Sequence, residues 1–534
     1  MLNKISRLDR LSLWGTGLKA GLAALAAGVM FSTLSPATAQ QPATEAPPAA
    51  EAPAAAPDAA APPAETVAAP EAAAPAEAAP AEEAAAPSWP PPDKGDTTWM
   101  LISTVLVLLM IVPGLALFYG GLVRTKNMLS MLMQVTTVTV IGMIAWCFWG
   151  YSLAFTSGGD LDNFVGGFDK LFLGGVDATK NVETFSVGVY IPELVFVAFQ
   201  MTFACITAAL VLGGVAERLK FAGVVIFAVL WPILSYYPMA HMVWWWAGAT
   251  SAIGQTGAEL ADGAGQIWAW GALDFAGGTV VHINAGIAAL MGALILGKRT
   301  GYKQSPMPPH SLVLTYVGAG LLWVGWFGFN AGSNLEANGY AALAMINTLL
   351  ATAAAGFSWV IVEWVLRRRP SMLGLASGIV AGLVAITPAA GFAGPVGSII
   401  LGLVVSPICV VFCSAIKNAL KYDDSLDAFG IHGIGGIVGA IGTGILVNPA
   451  LGGAGIVDFS TCDAATATCG ALAYDMGVQV TAQAMGVALT VVWSAIASSI
   501  VWFAVKLLTG GRVSQDVEEE GIDINEHGEA AYHP

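Results

Sequence analysis

Two histidines in this chain stand where a histidine is expensive. His282 lies in Asp274-Phe275-Ala276-Gly277-Gly278-Thr279-Val280-Val281-His282-Ile283-Asn284-Ala285-Gly286, which opens an apolar run ending near Gly297. His432 lies in Phe429-Gly430-Ile431-His432-Gly433-Ile434-Gly435-Gly436, which opens another ending near Val447. Runs of that length read as membrane spans. An imidazole inside one must find partners for its ring nitrogens away from bulk water, and an ionisable group at that depth marks a functional path by default. Glycines beside each histidine let helices approach closely, so the two rings are expected to meet inside the bilayer. Such a pair offers ring nitrogens to a small neutral molecule or a migrating proton. The plainer alternative is a histidine hydrogen-bonded between packed helices; the presence of two such residues weighs against it.

The elements that must position them follow from composition. The chain has 534 residues, 56% hydrophobic and 11% charged, against about a quarter charged in soluble domains. This is an all-α polytopic membrane protein. Apolar spans fall near 98–121, 128–156, 191–215, 221–248, 273–297, 311–332, 338–366, 372–391, 394–420, 427–448 and 476–508, eleven in all. His282 is on the fifth and His432 on the tenth. That offset predicts two five-helix halves of opposite topology, with a substrate path at their interface, plus one outer helix. From residue 97 onward, fourteen Lys and Arg fall on one side of these spans and two, Lys170 and Lys180, on the other. The positive-inside rule then puts the N-terminus outside and the C-terminus inside.

Residues 1–39 read as a cleaved signal peptide: Lys4, Arg7, Arg10 and Lys19 precede an apolar run, and Ala37-Thr38-Ala39 fits a cleavage site. A retained signal anchor is the alternative. Residues 40–96 form an Ala/Pro/Glu-rich extracytoplasmic spacer expected to be disordered. Residues 97–509 are the membrane domain and 510–534 a cytoplasmic tail. The net charge of −15 is concentrated in the spacer and the tail and implies no nucleic-acid partner. Cys147, Cys205, Cys409 and Cys413 fall within spans as small apolar residues. Cys462 and Cys469 lie in an external loop, where a disulfide is plausible. Glu217 with Arg218 is expected to anchor the third span at the cytoplasmic surface, and Glu363 and Arg367 to pair at i, i+4. Neither a metal site nor a cofactor is expected, and an enzyme is not, because no nucleophile or metal set accompanies the histidines.

Several segments resemble the ammonium transporter (Amt/Mep/Rh) family, in its bacterial Amt branch. They are Asp274 to His282, Phe199-Gln200-Met201-Thr202-Phe203, Trp326-Phe327-Gly328-Phe329-Asn330-Ala331-Gly332-Ser333, Thr387-Pro388, and Asp427-Ala428-Phe429-Gly430-Ile431-His432. The likeness covers about residues 97–534. It implies eleven helices per subunit, a pore in each subunit, a homotrimer in the inner membrane, and a PII-type signal protein docking on the cytoplasmic face. It also implies roles: His282 and His432 as the pore's twin histidines, Phe203 and Phe329 as the aromatic gate, and Phe199, Trp244 and Ser333 as the external ammonium recruitment site. Asp274, Trp326 and Thr387 would support them. Trp245 or Trp246 is an alternative match for Trp244. Asp274, at a span's start, fits helix capping as well as ligand contact, and a structural role is favoured.

The chemistry is coherent without the family. Aromatic faces attract ammonium by about 0.5–2 kcal/mol each, and a serine hydroxyl accepts one of its hydrogen bonds. A charge at the bilayer centre costs at least about 2.5–3.5 kcal/mol, so a pore lined by Phe favours neutral ammonia. Ammonium can shed a proton and potassium cannot. The expected function is therefore selective ammonium/ammonia transport, with an ammonium sensor as the second class. Sensors of this type often carry an added cytoplasmic domain, and only about 25 residues follow the last span.

Overall fold

Inside a bilayer every backbone N–H and C=O must be satisfied within its own segment, which makes a helix of each apolar run. The computed structural model describes residues 91–532; the stretches read as signal peptide and, up to residue 90, as spacer lie outside the described residues. Among them, eleven helices are long and apolar enough to cross a membrane: Lys94–Leu122, Thr125–Phe155, Glu193–Val215, Phe221–Trp244, Gly278–Leu296, Leu312–Gly332, Gly339–Arg367, Met372–Ala389, Pro395–Leu420, Phe429–Leu446 and Met476–Thr509. They are numbered spans 1 to 11. The first starts at Lys94, inside the stretch assigned to the spacer, because the Asp93 carboxylate accepts from Asp96 N (2.8 Å) and caps the helix.

Neighbour relations repeat with an offset of five. Span 1 packs on span 3, span 2 on spans 3 and 4, and span 3 on span 5; correspondingly, span 6 packs on span 8, span 7 on spans 8 and 9, and span 8 on span 10. Spans 1 and 6 pair across the two halves, as do spans 5 and 10. The last pairing is very close. A Cβ on Gly286 of span 5 would collide with the backbone of Gly433 in span 10, so glycine at that crossing is what brings the two histidine helices together. Span 11 is more than an outer wrap. It braces both histidine-bearing helices, through Ser494 Oγ to Asn284 O (2.8 Å), Trp502 Nε1 to Ala288 O (3.0 Å) and Gln483 Nε2 to Ala440 O (2.7 Å).

Two small antiparallel hairpins lie in the connections, β1 (Asn181–Glu183) with β2 (Tyr190–Pro192), and β3 (Ile456–Asp463) with β4 (Thr468–Leu472). Cys462 and Cys469 are joined across the second.

At the other face the ends of spans 1, 3 and 5 meet in a buried charge network. Glu217 pairs with Arg299 (2.6 Å) and Arg124 (2.8 Å), and Arg299 also pairs with Asp423 (2.8 Å). Burial alone raises the Glu217 pKa, but the two guanidinium groups overcome it and hold the carboxyl at about 2. Arg218 is not Glu217's partner. It turns inward and donates to the carbonyls of Gly214 (2.9 Å) and Asp423 (2.7 Å), which places it between span 3 and the loop before span 10. Glu363 and Arg367 do pair, at 3.3 Å.

The acidic tail folds onto this same face, mainly by capping helix ends rather than by pairing with lysines. Asp523 accepts from the backbone of Leu129 (3.0 Å) and Ser130 (2.7 Å) in the first turn of span 2. Glu526 accepts from Phe221 N (3.0 Å) at the start of span 4. The buried Glu518 accepts from Thr300 N (2.6 Å) and pairs with Arg512 (2.6 Å). First-turn N–H groups have no partner within their helix, and a carboxylate also answers the positive end of the helix dipole.

Candidate functional site

Both histidines sit in the first turns of their helices, in matching π-helical turns, Gly278–Ile283 and Phe429–Gly433. Each turn is capped by an aspartate eight residues before its histidine. Asp274 accepts from the backbone N–H of Gly277 (2.8 Å), Gly278 (2.6 Å), Thr279 (2.8 Å) and Val280 (3.3 Å), and from the Thr279 hydroxyl. Gly277 has φ 112°, a conformation open mainly to glycine, and this bends the chain back over the carboxylate. Asp424 accepts from Ala428 N (3.1 Å) and Phe429 N (2.8 Å). Asp424 was not singled out from the sequence, although the repeated Asp-to-His spacing of eight was there to be read. The capping geometry accounts for Asp274 by structure rather than by ligand contact. Replacing Asp274 with Ala is expected to lower stability by at least about 2 kcal/mol, with Asn recovering part of it. Thermal unfolding in detergent checks this, and an unchanged midpoint in the Ala variant would remove the capping role.

The rings then form a column. A vestibule of about 1230 Å³ is lined by Trp244, Ser333, Gln200 and Phe275 among others. Next to its lining residue Trp244, Phe203 of span 3 and Phe329 of span 6 stack with centroids 4.1 Å apart and planes 13° from parallel. Trp244 stands edge-on to Phe203 at 6.1 Å, and its Nε1–H donates to Asp274 O (3.0 Å). Ser333 donates its hydroxyl proton to Phe329 O (2.7 Å), which leaves oxygen lone pairs for a guest with N–H groups. Phe199 does not line the vestibule. It is fully buried, packed against Phe203 at 4.9 Å, and supports the gate from behind. Of the three consecutive tryptophans, only Trp244 meets the gate; Trp245 stacks on His241 and Trp246 on Trp268.

Beneath the gate, His282 lies 6.0 Å from Phe329, stacks on Trp326 at 5.4 Å, and meets His432 Nδ1 to Nδ1 at 3.3 Å. Both histidines are buried. A cavity of about 10 Å³ touches both, walled otherwise by apolar and aromatic side chains such as Ile206, Leu210, Val281 and Trp326. That is room for about one water-sized molecule.

The ring protons follow from the partners. Trp326 Nε1–H can only donate, and it donates to Thr387 Oγ1 (2.9 Å). The Thr387 hydroxyl gives its single proton to Leu383 O (2.8 Å). Its oxygen therefore accepts again, from His282 Nε2 at 3.3 Å. In the neutral pair this leaves His282 Nδ1 as an acceptor, so His432 Nδ1 carries the proton between the rings. Thr387 is thus a hub that fixes a tautomer, not only a residue before a proline. Asn330 of span 6 offers a second acceptor for the Thr387 hydroxyl proton, its Oδ1 lying 3.2 Å from Thr387 Oγ1; it belongs to the quoted Trp326–Ser333 segment but was not singled out within it.

The geometry can desolvate a small cation at aromatic faces, exclude it at a closed ring pair, and offer polarised nitrogens to a neutral molecule beyond. Comparison with known proteins gives the family. The model of the Ammonium Transporter Family matches residues 98–532. An ammonium transporter of Aquifex aeolicus is 43% identical over 441 residues, covering 82% of this chain and 94% of the relative. Among solved structures, Saccharomyces cerevisiae Mep2 superposes with a TM-score of 0.67 at 31% identity, covering 79% of this chain and 91% of that one. A protein described as a sensor Amt protein also gives 0.67, at 25% identity, covering 81% and 98%. The chain belongs to the ammonium transporter family.

Proposed function

We propose that this protein carries ammonium nitrogen across the bacterial inner membrane by recruiting ammonium in the aromatic vestibule and splitting it there, ammonia passing along the twin histidines and the released proton being relayed by their ring nitrogens. The observation that carries the reading is the order of groups along one path: Trp244 and Ser333, then the stacked Phe203 and Phe329, then His282 and His432. The first pair suits a cation that donates hydrogen bonds. The closed gate and the small apolar cavity below it suit only something uncharged, since a bare charge there costs at least about 2.5–3.5 kcal/mol. The distribution of Lys and Arg supports a periplasmic vestibule and a cytoplasmic tail face. On this reading residues 1–39 are the cleaved signal, the spacer is periplasmic, the working unit is a homotrimer, and a PII-type protein docks on the tail face.

Likeness to the sensor Amt protein supports a second reading, in which the same path serves mainly as a ligand site for signalling. Ammonium-triggered current across a solid-supported membrane carrying the purified protein separates them. Transport gives a saturable current with ammonium and none with potassium. Ammonium binding with neither current nor uptake of ammonium nitrogen into proteoliposomes would favour the sensor and overturn the transport reading.

A further inference from the structure

The β3–β4 hairpin follows the His432 helix in sequence and lines the vestibule in space. Phe459 of β3 packs on Trp246 with centroids 4.4 Å apart, and Trp246 also makes a near-parallel stack on Trp268 at 5.4 Å. All three side chains line the vestibule. Cys462 and Cys469, which close the hairpin, belong to the same apolar cluster: Cys462 packs with Val187 and Ala249, and Trp246 and Phe459 cover them.

Trp246 is two residues beyond Trp244, on a segment clamped along its length. Gly265 N donates to Trp245 O (2.9 Å). Glu183 takes Thr250 N (2.9 Å), while Gly248, at φ 94°, leaves no space for a side chain beside the same carboxylate. Span 4 has ended by this point, with extended backbone at Trp245. Trp245 N–H closes the last helical bond, to His241 O (3.1 Å), and beyond it the side chain of Trp246 is placed by its packing on Phe459 and Trp268. A loosened grip on Trp246 is transmitted over two residues to the indole that stands on the gate.

We infer that the disulfide-closed hairpin is a positioning element for cation recruitment: through Phe459 on Trp246 it sets the placement of Trp244, and with it the affinity of the vestibule for ammonium. Phe459 and Trp246 are positioning residues, since neither reaches the gate. The inference rests on the recruitment reading of Trp244, and the test keeps the two apart.

The test is ammonium-evoked current in proteoliposomes of the full protein, over a range of ammonium concentrations, for wild type, Phe459→Ala, Phe459→Trp, Cys462→Ser/Cys469→Ser and Trp244→Leu. In Phe459→Ala the half-saturating concentration should rise about two- to fivefold, the range expected from misaligning one exposed cation–aromatic contact, with maximal current within about twofold of wild type. Phe459→Trp should restore it. A membrane-impermeant reductant should produce the same rise in wild type and none beyond it in the double serine variant. An unchanged half-saturation in Phe459→Ala and in reduced wild type, alongside a clear rise in Trp244→Leu, overturns the inference and spares the recruitment reading. An unchanged half-saturation in Trp244→Leu overturns both.

Discussion

His282→Ala and His432→Ala are each expected to abolish selective ammonium current while the protein stays folded and inserted. Either substitution removes one half of a buried pair whose rings face each other at 3.3 Å. In His282→Ala the Thr387 oxygen keeps its bond from Trp326 Nε1 (2.9 Å), while His432 Nδ1–H loses its acceptor, an unmet polar group costing about 1–3 kcal/mol. That cost is tolerable for a fold of eleven packed spans. It is not tolerable for the path, where ammonia would cross a region offering no nitrogen to bond with and a proton would have no relay. The expected loss is at least about tenfold in current, the equivalent of about 1.4 kcal/mol on the barrier. Substitution by Asp or Glu behaves differently: a fixed carboxylate attracts a bare cation, so conduction survives and potassium begins to pass. Currents with ammonium and potassium, set beside size-exclusion profiles of the purified variants, measure both effects. Full wild-type current with unchanged potassium exclusion in both Ala variants would show that the histidines are packing residues.

The sequence made this pair visible because cost and position coincide in it. A histidine within a glycine-rich apolar run has few bland explanations, and an offset of five spans between two of them implies a meeting point. The spans were legible for the same reason: each is a long apolar run ended by basic residues, glycine or proline. Their ends were less so. The run starting near 273 contains the Asp274 cap, so the helix proper begins only at Gly278. The run to 248 overshoots span 4, which stops at Trp244 where the indole N–H is held by Asp274 O. Which tryptophan meets the gate was not legible, because the answer depends on Trp268 and Phe459, and Phe459 is more than two hundred residues away in the chain. Arg299 with Asp423 and Glu217 was hidden likewise. Charged residues near span ends look alike in a sequence, and only folding shows which are buried together. The eight-residue spacing from Asp424 to His432 was readable and repeats that from Asp274 to His282.

Deleting Val513 to Pro534 is expected to leave trimer assembly and external ammonium recognition intact while lowering or deregulating flux and weakening inhibition by a PII protein. The tail makes two kinds of contact. Exposed ion pairs contribute only about 0–1 kcal/mol each. The capping contacts weigh more, at about 0.5–2 kcal/mol each: Asp523 at the start of span 2 and Glu526 at the start of span 4, with Glu518 adding a bond to the loop after span 5, so the tail ties the three together. Ile522 N adds a bond to Asn127 Oδ1 (3.0 Å). Burial raises the Asp523 carboxyl pKa, with the Ser130 and Leu129 N–H groups pulling the other way, so this contact is held by hydrogen bonds rather than by a strong ion pair. A segment tied by several contacts of this size is ordered yet displaceable. The loop it holds follows span 5, which carries His282, and Arg299 in that loop pairs with Asp423, the neighbour of the Asp424 cap on the His432 helix. Displacing the tail therefore loosens the far end of span 5 and the histidine-bearing end of span 10 without touching the vestibule. Asp523→Ala should reproduce part of the deletion, and Asp523→Asn less of it. Flux in cells with and without the PII partner decides the matter: if the truncated protein matches the full-length one in both flux and inhibition, the tail only solubilises the chain and the caps have no regulatory consequence.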